Sequence, residues 1–363
     1  MLKLNIIEFY ILLGDKCNFS CRYCIQGCNS IKGVKLPETI DPYMIKFLKT
    51  TIKKQENPPN LLFYGGEPLI YFSNLRKIIE STKDLGVTYS LITNASLLTE
   101  EIISFFNQYK VTLIVSWDGN RSENTRKVNV FNNQELKTLI FKANYFAINS
   151  VISAMNYPLE ACQDIQELAN EYKSINPNGV FSVNFDEIID NKLHDRSLLA
   201  MDYERVELDV IQIIKDCKQY LDKDFRQLEY NDFNFVKCCF LRRYLFLINN
   251  YKNNPEVSKY FSPCKDGIER IGIDLMGNIY SCHDSREILG NVHNLDLLNY
   301  FVNYFKNDKT KELYENLCKD CKYYPMCQSR CKLLTIEARV NHTCKLKKAI
   351  GEPLLSYLDS KGS

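Results

Sequence analysis

The sequence contains no apolar run long enough to cross a membrane and no large surplus of charge of either sign. A membrane-spanning helix needs about 20 apolar residues, and polar residues interrupt every apolar stretch of this chain before that length. The formal net charge is only +2, which indicates no basic surface for nucleic acid. Residues 1–14 also lack the small-residue cleavage site of a signal peptide. These absences predict a cytoplasmic protein that binds neither membrane nor nucleic acid.

Internal repeats and low-complexity stretches are absent too, and the 363 residues fit one large domain with a smaller one. Residues 1–190 alternate short apolar runs with longer amphipathic stretches, a pattern typical of parallel strands joined by helices. The predicted strands are Ile6–Leu13, Asn60–Tyr64, Thr88–Thr93, Thr112–Ser116, Ser150–Met155 and Val180–Phe185. This alternation predicts the α/β class, as an open partial (β/α)6 TIM-like barrel with its active site at the carboxyl ends of the strands.

The rest of the chain divides into three further predicted regions. Residues 191–260 are interpreted as a helical bridge, and residues 351–363 as a tail. Residues 261–350 hold seven of the fifteen cysteines and little apolar sequence, which indicates a domain that metal holds together. An odd number of cysteines in a chain without an export signal argues against a disulfide framework and favours metal binding.

Three cysteines lie in one short loop directly after the first predicted strand. Cys17, Cys21 and Cys24 have the spacing C-x3-C-x2-C. Three thiolates in such a loop can ligate three irons of a four-iron cluster and leave the fourth iron open. An open metal position is where a reagent binds. A zinc site with Cys28 as the fourth ligand is the alternative for this loop.

This loop and the segment after the second strand resemble the radical SAM (S-adenosylmethionine) superfamily. Tyr23 precedes the third cysteine, and Gly65-Gly66-Glu67-Pro68 stands where the family has its GGEP motif. The resemblance implies that these residues belong to the SAM site and that the motif holds the amino group of SAM. Glycine admits close approach of backbone carbonyls, and the Glu67 carboxylate can accept from an ammonium. An ordinary turn at a strand end is the alternative for the motif.

Two further strand ends match the family. Thr93-Asn94-Ala95 stands where the family often has Thr-Asn-Gly, so that Ala95 is a departure that weakens the expectation of a tight turn. Ser116-Trp117-Asp118-Gly119 matches its Ser-x-Asp-Gly. The resemblance implies a SAM site that also includes Asn94, Ser116, Asp118 and, as the arginine that contacts the SAM carboxylate or ribose, Arg126, with Arg121 as second choice. A plain turn is an equal alternative for Asp118.

The family's mechanism follows from the same resemblance. The open iron chelates SAM, and an electron from the reduced cluster cleaves the sulfonium. The resulting 5′-deoxyadenosyl radical takes a hydrogen atom from the substrate. The protein positions the cofactor and keeps water out.

The second group of cysteines resembles the SPASM domain of peptide-modifying radical SAM enzymes, which carries two auxiliary [4Fe–4S] clusters. By position, Cys318, Cys321, Cys327 and Cys344 would hold the outer cluster, and Cys264, Cys282 and Cys331 the inner one. Ten cysteines and SAM then leave one iron of the inner cluster without a ligand. Cys239 is the preferred candidate for it, ahead of Cys238 and of a substrate thiolate. Two zinc sites are the alternative for the seven cysteines.

The resemblance implies a peptide or protein substrate and a flavodoxin or ferredoxin as reductant. We expect a radical SAM enzyme that crosslinks or oxidises a ribosomally synthesised peptide. Because the barrel begins at once in this sequence, recognition of the leader peptide is expected from a separate leader-peptide-binding protein or from the barrel itself. Asp186 and Glu187, after the sixth strand, are candidates for proton transfer or peptide binding, with a solvated strand end as their alternative.

Two other functions remain open from the sequence. One is an anaerobic sulfatase-maturing enzyme, which forms formylglycine. That enzyme's basic aspartate directly follows the equivalent of Cys282, where this chain has His283, with Asp284 one residue further on. The other is an iron–sulfur electron carrier, which would need neither the GGEP motif nor an open cluster position.

Overall fold

Nine strands form one sheet in the computed structural model, which describes residues 5–26, 35–191, 193, 195–221, 234–253, 255, 266–294, 300, 302, 304, 310–327, 331 and 333–360. The strands are β1 (Glu8–Leu12), β2 (Asn60–Tyr64), β3 (Thr88–Thr93), β4 (Val111–Ser116), β5 (Tyr145–Ile152), β6 (Val180–Glu187), β7 (Arg270–Asp274), β8 (Asn278–Tyr280) and β9 (Ile288–Asn291). Their order is β6-β5-β4-β3-β2-β1-β7-β8-β9. Strands β1 to β4 pair in parallel, whereas β8 is antiparallel to both β7 and β9.

Helices alternate with the first six strands. The described α-helices are α1 (Pro42–Lys53), α2 (Phe72–Thr82), α3 (Glu100–Tyr109), α4 (Ser122–Arg126), α5 (Gln134–Ile140), α6 (Pro158–Ile175), α7 (Tyr203–Leu221), α8 (Phe235–Asn253), α9 (Thr310–Leu313), α10 (Tyr324–Cys327), α11 (Ile336–Ala338) and α12 (Cys344–Asp359). Local sequence explains their starts: Asp41 caps α1 and is followed by proline, and Thr99 caps α3. None of the helices in the described part of the chain is long and apolar enough to span a membrane.

The predicted α/β barrel core of six strands is confirmed, with one strand misplaced and three missed. The fifth strand is Tyr145–Ile152 rather than Ser150–Met155, because α5 ends at Ile140 and the apolar residues that follow enter the sheet. Strands β7 to β9 come from the cysteine-rich region, and β7 pairs in parallel with β1, with Glu8 opposite Arg270.

Contacts divide the chain into two compact units, and neither unit is one continuous segment. The first comprises Met1–Ser116, Val130–Ala147 and Lys265–Asp308, and the second comprises Trp117–Asn129, Ile148–Cys264 and Lys309–Ser363. The first unit includes β7 because that strand extends the sheet beside β1. In the second unit α12 packs against α7. The division therefore differs from the predicted boundaries after residues 190 and 260.

The first unit has a sheet that is buried on both faces. Tyr10, Leu62, Ile114 and Ala147 form a cluster on one face, and Phe9, Ile11, Leu61 and Phe63 are buried on the other. Parallel sheets require such cover on both sides. The burial leaves the strand ends as the places where polar side chains can gather.

Candidate functional site

The site begins with a backbone clamp between the segment after β1 and the turn after β2. The amide of Gly66 donates to the carbonyl of Gly14 at 2.8 Å, and the amide of Glu67 donates to the carbonyl of Lys16 at 2.8 Å. A Cβ on Gly66 would lie 2.3 Å from the Lys16 carbonyl oxygen. Glycine is therefore required for the close approach of two protein backbones, and one of them leads directly into Cys17.

The three cysteines of the loop follow this clamp. Cys17 is exposed and Cys21 and Cys24 are half-buried. The sulfur of Cys17 accepts a hydrogen bond from the Phe19 amide at 3.4 Å. Desolvation raises the pKa of the Cys17 thiol, and hydrogen bonds from Phe19 and the Asn94 side chain oppose that shift. Such donors stabilise a thiolate, the form that binds metal, so the loop fits an iron–sulfur ligand set.

Glu67 holds the end of β3 against the turn after β2. Its carboxylate accepts from the Leu69 amide at 2.9 Å, the Thr93 hydroxyl at 2.6 Å and the Asn94 amide at 2.8 Å. Burial raises its pKa, and these three hydrogen bonds oppose the rise. The Asn94 side chain in turn donates to that of Asn18, inside the cysteine loop, at 2.9 Å. The structure thus gives Glu67 three protein donors and a positioning role, whereas the sequence had suggested an ammonium as its partner.

Two more residues of the predicted SAM site, Pro68 and Tyr23, lie in the two segments that the clamp joins. Pro68 opens the short turn Pro68–Tyr71, and the Tyr71 hydroxyl accepts from the Lys16 amide at 2.9 Å. Tyr23 is half-buried in the cysteine loop. Ala95 has a left-handed φ of 64°, so the tight turn after β3 forms even though alanine replaces the glycine typical of the family.

At the end of β4 the structure favours the turn interpretation of Asp118. Ser116 ends the strand and is half-buried. Asp118 is fully buried and pairs with Arg126, whose Nε lies 3.1 Å from its Oδ2. Asp118 also accepts from the Thr125 hydroxyl at 2.7 Å and the Val151 amide at 2.9 Å. The two predicted SAM ligands therefore bind each other, because a buried carboxylate needs a cation and donors.

Arg121, the second choice for SAM, also has a protein partner. Its Nη2 lies 2.9 Å from Oδ2 of Asp164. The backbone amide of Asn120 donates to the same oxygen at 2.8 Å. This carboxylate ties the turn after β4 to helix α6.

The two carboxylates at the end of β6 differ in solvent exposure and in their partners. The Asp186 side chain is 58% exposed, and Arg243 lies 3.8 Å away. The Glu187 side chain is only 9% exposed and pairs with Lys347 at 2.5 Å. Glu187 also accepts from the Tyr244 hydroxyl at 2.7 Å. Asp186 matches the solvated alternative, whereas Glu187 joins β6 to helices α8 and α12 of the same unit.

The cysteines assigned to the outer cluster lie near one another. Burial and the neighbouring thiols of Cys327, Cys318 and Cys321 together raise the pKa of Cys344 to about 11. The buried Arg339 guanidinium donates to the carbonyl of Cys331. Cys264, assigned to the inner cluster, lies outside the described residues.

The two candidates for the missing inner ligand differ in their burial, since Cys238 is buried and Cys239 half-buried. Cys238 is fully buried, and its sulfur lies 3.1 Å from that of Cys217. Burial raises the pKa of Cys239 to about 12. A different group stands beside Cys282: one donor atom each of Asp266, Cys282 and His283 lie within 4.8 Å of one another. Sequence reasoning missed Asp266, whose only signal was its position two residues after Cys264.

The fold and the candidate site together define the class of protein. It has an α/β barrel-type domain with a metal-binding cysteine loop at the ends of its strands. Residues 11–179 match the model of the Radical SAM superfamily. These residues therefore form a radical SAM domain, whose cofactors are SAM and a [4Fe–4S] cluster.

Two curated relatives and one solved structure extend the comparison. The chain is 24% identical, over 90% of its own length and 68% of the relative, to the radical SAM cyclopropyl synthase TigE of Paramaledivibacter caminithermalis. It is 23% identical, over 88% and 85%, to the cysteine-type anaerobic sulfatase-maturating enzyme of Clostridium novyi. Native anSMEcpe with bound AdoMet and Cp18Cys peptide superposes with a TM-score of 0.62, covering 97% of this chain and 98% of that one at 16% identity. This structural likeness confirms the fold.

The clamp makes Gly66→Ala a sharp test of how the cysteine loop is positioned. The added Cβ would meet the Lys16 and Asp15 carbonyls at 2.3 and 2.5 Å, so the loop must shift. A displacement of about 1 Å costs about 100-fold in rate, and we expect SAM cleavage, measured as 5′-deoxyadenosine, to fall by that order. Gly86→Ala is the control, because Gly86 lies outside the clamp and its added Cβ would meet only Pro58, at 3.3 Å. Equal activity of the two variants would contradict the clamp.

Proposed function

We propose that this enzyme modifies a ribosomally synthesised peptide, by crosslinking or oxidation, with the SAM cluster held by Cys17, Cys21 and Cys24. The observation that carries the proposal is the clamp, which positions the cysteine loop between the ends of β1, β2 and β3. A peptide substrate is supported by the peptide bound in the anSMEcpe structure.

The bound cofactors would supply the chemistry, and the chain's own residues hold and position them. A reduced cluster with SAM supplies radical chemistry for taking hydrogen from an unactivated carbon. The three thiolates hold the cluster, and the glycine pair lets the motif after β2 pack on the loop. Glu67 and Asn94 keep the end of β3 in register with that loop. In such a site the protein contributes to the rate by holding the reacting groups in the right geometry, and it adds no chemistry of its own.

We propose two auxiliary [4Fe–4S] clusters in addition. The outer one takes Cys318, Cys321, Cys327 and Cys344, and the thiol neighbours of Cys344 support this set. The inner one takes Cys264, Cys282 and Cys331. With the SAM cluster, the loaded protein would then contain about twelve irons.

Two partners belong to the same proposal. The SAM cluster needs a one-electron reductant, for which a flavodoxin or ferredoxin is suited. A separate protein that binds the leader of the peptide is the second partner. Pull-down from the producing cells with the reconstituted enzyme tests both.

The similarity to the sulfatase-maturating enzyme keeps formylglycine formation as a second candidate. His283 stands where that enzyme's base is expected, and Asp284 lies 3.3 Å from its Nε2. A histidine held by a carboxylate can act as a base, so the change of residue does not remove the chemistry. The two functions differ in the mass change of the peptide.

The experiment is a single anaerobic assay of the reconstituted enzyme with SAM and dithionite. We expect 5′-deoxyadenosine and a loss of about two mass units from a peptide encoded beside the gene. A loss of about 18 mass units from a Cys-containing sulfatase peptide, whose thiol-bearing carbon becomes an aldehyde as sulfide leaves and water supplies the oxygen, would instead support the second candidate. No 5′-deoxyadenosine with any peptide, despite a full iron load, would overturn both and favour an electron carrier.

A further inference from the structure

Two buried polar side chains flank the cysteine loop, one on each side. Asp15 lies two residues before Cys17, and Gln26 lies two residues after Cys24. Gln26 is 4% exposed, and the side chain of Asp15 is 10% exposed. Buried polar groups of this kind need partners inside the protein. Both of them bind Arg286.

Arg286 reaches both sides of the loop with one guanidinium. Its Nη2 lies 3.2 Å from Oδ1 of Asp15 and also donates to the side-chain oxygen of Gln26. The side chain of Arg286 is only 7% exposed. Because a guanidinium is planar and its donors have fixed directions, two acceptors that bind one of its nitrogens have a fixed separation. The two ends of the cysteine loop are therefore held relative to each other.

The other terminal nitrogen of the guanidinium holds Arg286 in the turn that follows Cys282. Nη1 donates to the carbonyl of His283 at 3.2 Å and to that of Ser285 at 3.3 Å. The amide of Ser285 donates to the carbonyl of Cys282 at 3.2 Å and closes that turn. A guanidinium can bind its own segment and a second one together because it carries five donors. The turn thus fixes the orientation of the guanidinium.

Gln26 and Asp15 each have a further partner in the same network. The Gln26 amide donates to Oδ1 of Asp284 at 3.1 Å and to the carbonyl of His283 at 3.2 Å. Oδ2 of Asp15 accepts from the amide of Leu36. A connected network of buried hydrogen bonds can stabilise an arrangement by more than its separate bonds. All of these residues belong to the first unit.

The contact with Arg286 differs from the backbone clamp in what it holds. The clamp binds the carbonyls of Gly14 and Lys16, which lie on one side of the three cysteines. Arg286 binds a residue on each side of them. Residues that do not touch a metal centre commonly orient the ligands that do. A loop with three ligands for one cluster needs both of its ends in place, and Arg286 is the side chain that joins them.

We propose that Arg286 is a positioning residue of the SAM cluster, which closes the cysteine loop by binding Asp15 and Gln26 together. The inference rests on the proposed assignment of the loop's three cysteines to that cluster. It goes beyond that assignment, because Arg286 lies outside residues 11–179, which match the Radical SAM model. The cysteine-rich region then completes the SAM site, and Arg286 acts on the cluster through the loop and not by direct contact.

The test compares Arg286→Met with the parent, both reconstituted anaerobically as full chains and reduced with dithionite. Electron paramagnetic resonance is recorded with and without SAM, and the part of the spectrum that SAM changes belongs to the SAM cluster. We expect a clear change in the parent and a much weaker one in the variant. Formation of 5′-deoxyadenosine should fall by about 10- to 100-fold, because a displacement of about 1 Å can cost about 100-fold in rate. Arg286→Lys should not restore either quantity, since an ammonium lacks the planar fork.

Two further variants separate the loop from general stability. Gln26→Ala removes one acceptor of Arg286 and should weaken the same spectral change. In the double variant with Arg286→Met the loss should be smaller than the product of the two single losses, because both changes break one network. Arg76→Met is the matched control, since Arg76 belongs to the same unit but pairs with Glu101 at 2.5 Å, away from the loop. It should behave as the parent does.

The outcomes distinguish this inference from the proposed function. A SAM-dependent spectral change in Arg286→Met that equals the parent's, or equal impairment of Arg76→Met, would overturn the role of Arg286 and leave the proposed function standing. A parent with a full iron load and no SAM-dependent change would overturn both. If Arg286→Met does not fold, Gln26→Ala and Arg286→Lys decide by the same measurements.

Discussion

The variant in which Cys17, Cys21 and Cys24 are all changed to Ala is expected to produce no 5′-deoxyadenosine above background. These thiolates are the proposed ligands of three irons, and SAM can be cleaved only at the fourth iron of that cluster. About eight of about twelve irons should remain, because the other cysteines are unchanged. Chromatography of the products and iron analysis of the anaerobically reconstituted protein measure the two quantities.

The control for this variant is Cys162→Ala. Cys162 is fully buried in α6 and lies outside both cysteine groups. It should keep its irons and its SAM cleavage, at a modest cost in stability. Continued formation of 5′-deoxyadenosine by the triple variant, or a loss of all irons, would show that the cluster has other ligands.

The sequence was informative about the fold where its signals were local. Apolar runs and the helices between them indicated the parallel core, and α7 (Tyr203–Leu221) lies in the segment that was predicted to be helical. Strands β8 and β9 have three and four residues, too few for a period to be visible. The pairing of β7 with β1 joins residues more than 250 positions apart, and no local pattern indicates such a neighbour.

In the candidate site, too, the residues with local sequence signals were predictable and those with distant partners were not. Cys17, Cys21, Cys24 and the motif after β2 are recognisable because their spacing lies within short segments. The partners of Glu67 and Asp118 were not predictable, since a carboxylate at a strand end suits a ligand and a buried donor equally well in sequence. Asp266 and His283 gain meaning only when β7 and β8 bring them to one sulfur.

Asp118→Asn should destabilise the fold strongly, because it leaves the Arg126 guanidinium buried without its counter-ion. The Asp118 side chain is fully buried, and that of Arg126 is 8% exposed. Removing one partner of such a pair costs about 3–5 kcal/mol, whereas the half-exposed pair of Arg121 and Asp164 should cost about 1 kcal/mol or less when Arg121 is changed to Ala. Urea unfolding followed by circular dichroism measures both free energies.

The double change Asp118→Asn with Arg126→Met separates the structural role from SAM binding. It removes both charges and keeps the volume, so most of the lost stability should return. If Arg126 only balances Asp118, the double variant binds SAM with the affinity of the parent in equilibrium dialysis. If Arg126 contacts the SAM carboxylate, as the family resemblance implied, SAM affinity stays low even though stability has recovered. The structure favours the first result, because the Arg126 guanidinium is buried 3.1 Å from the Asp118 carboxylate. Contacting the SAM carboxylate would require Arg126 to give up this buried ion pair.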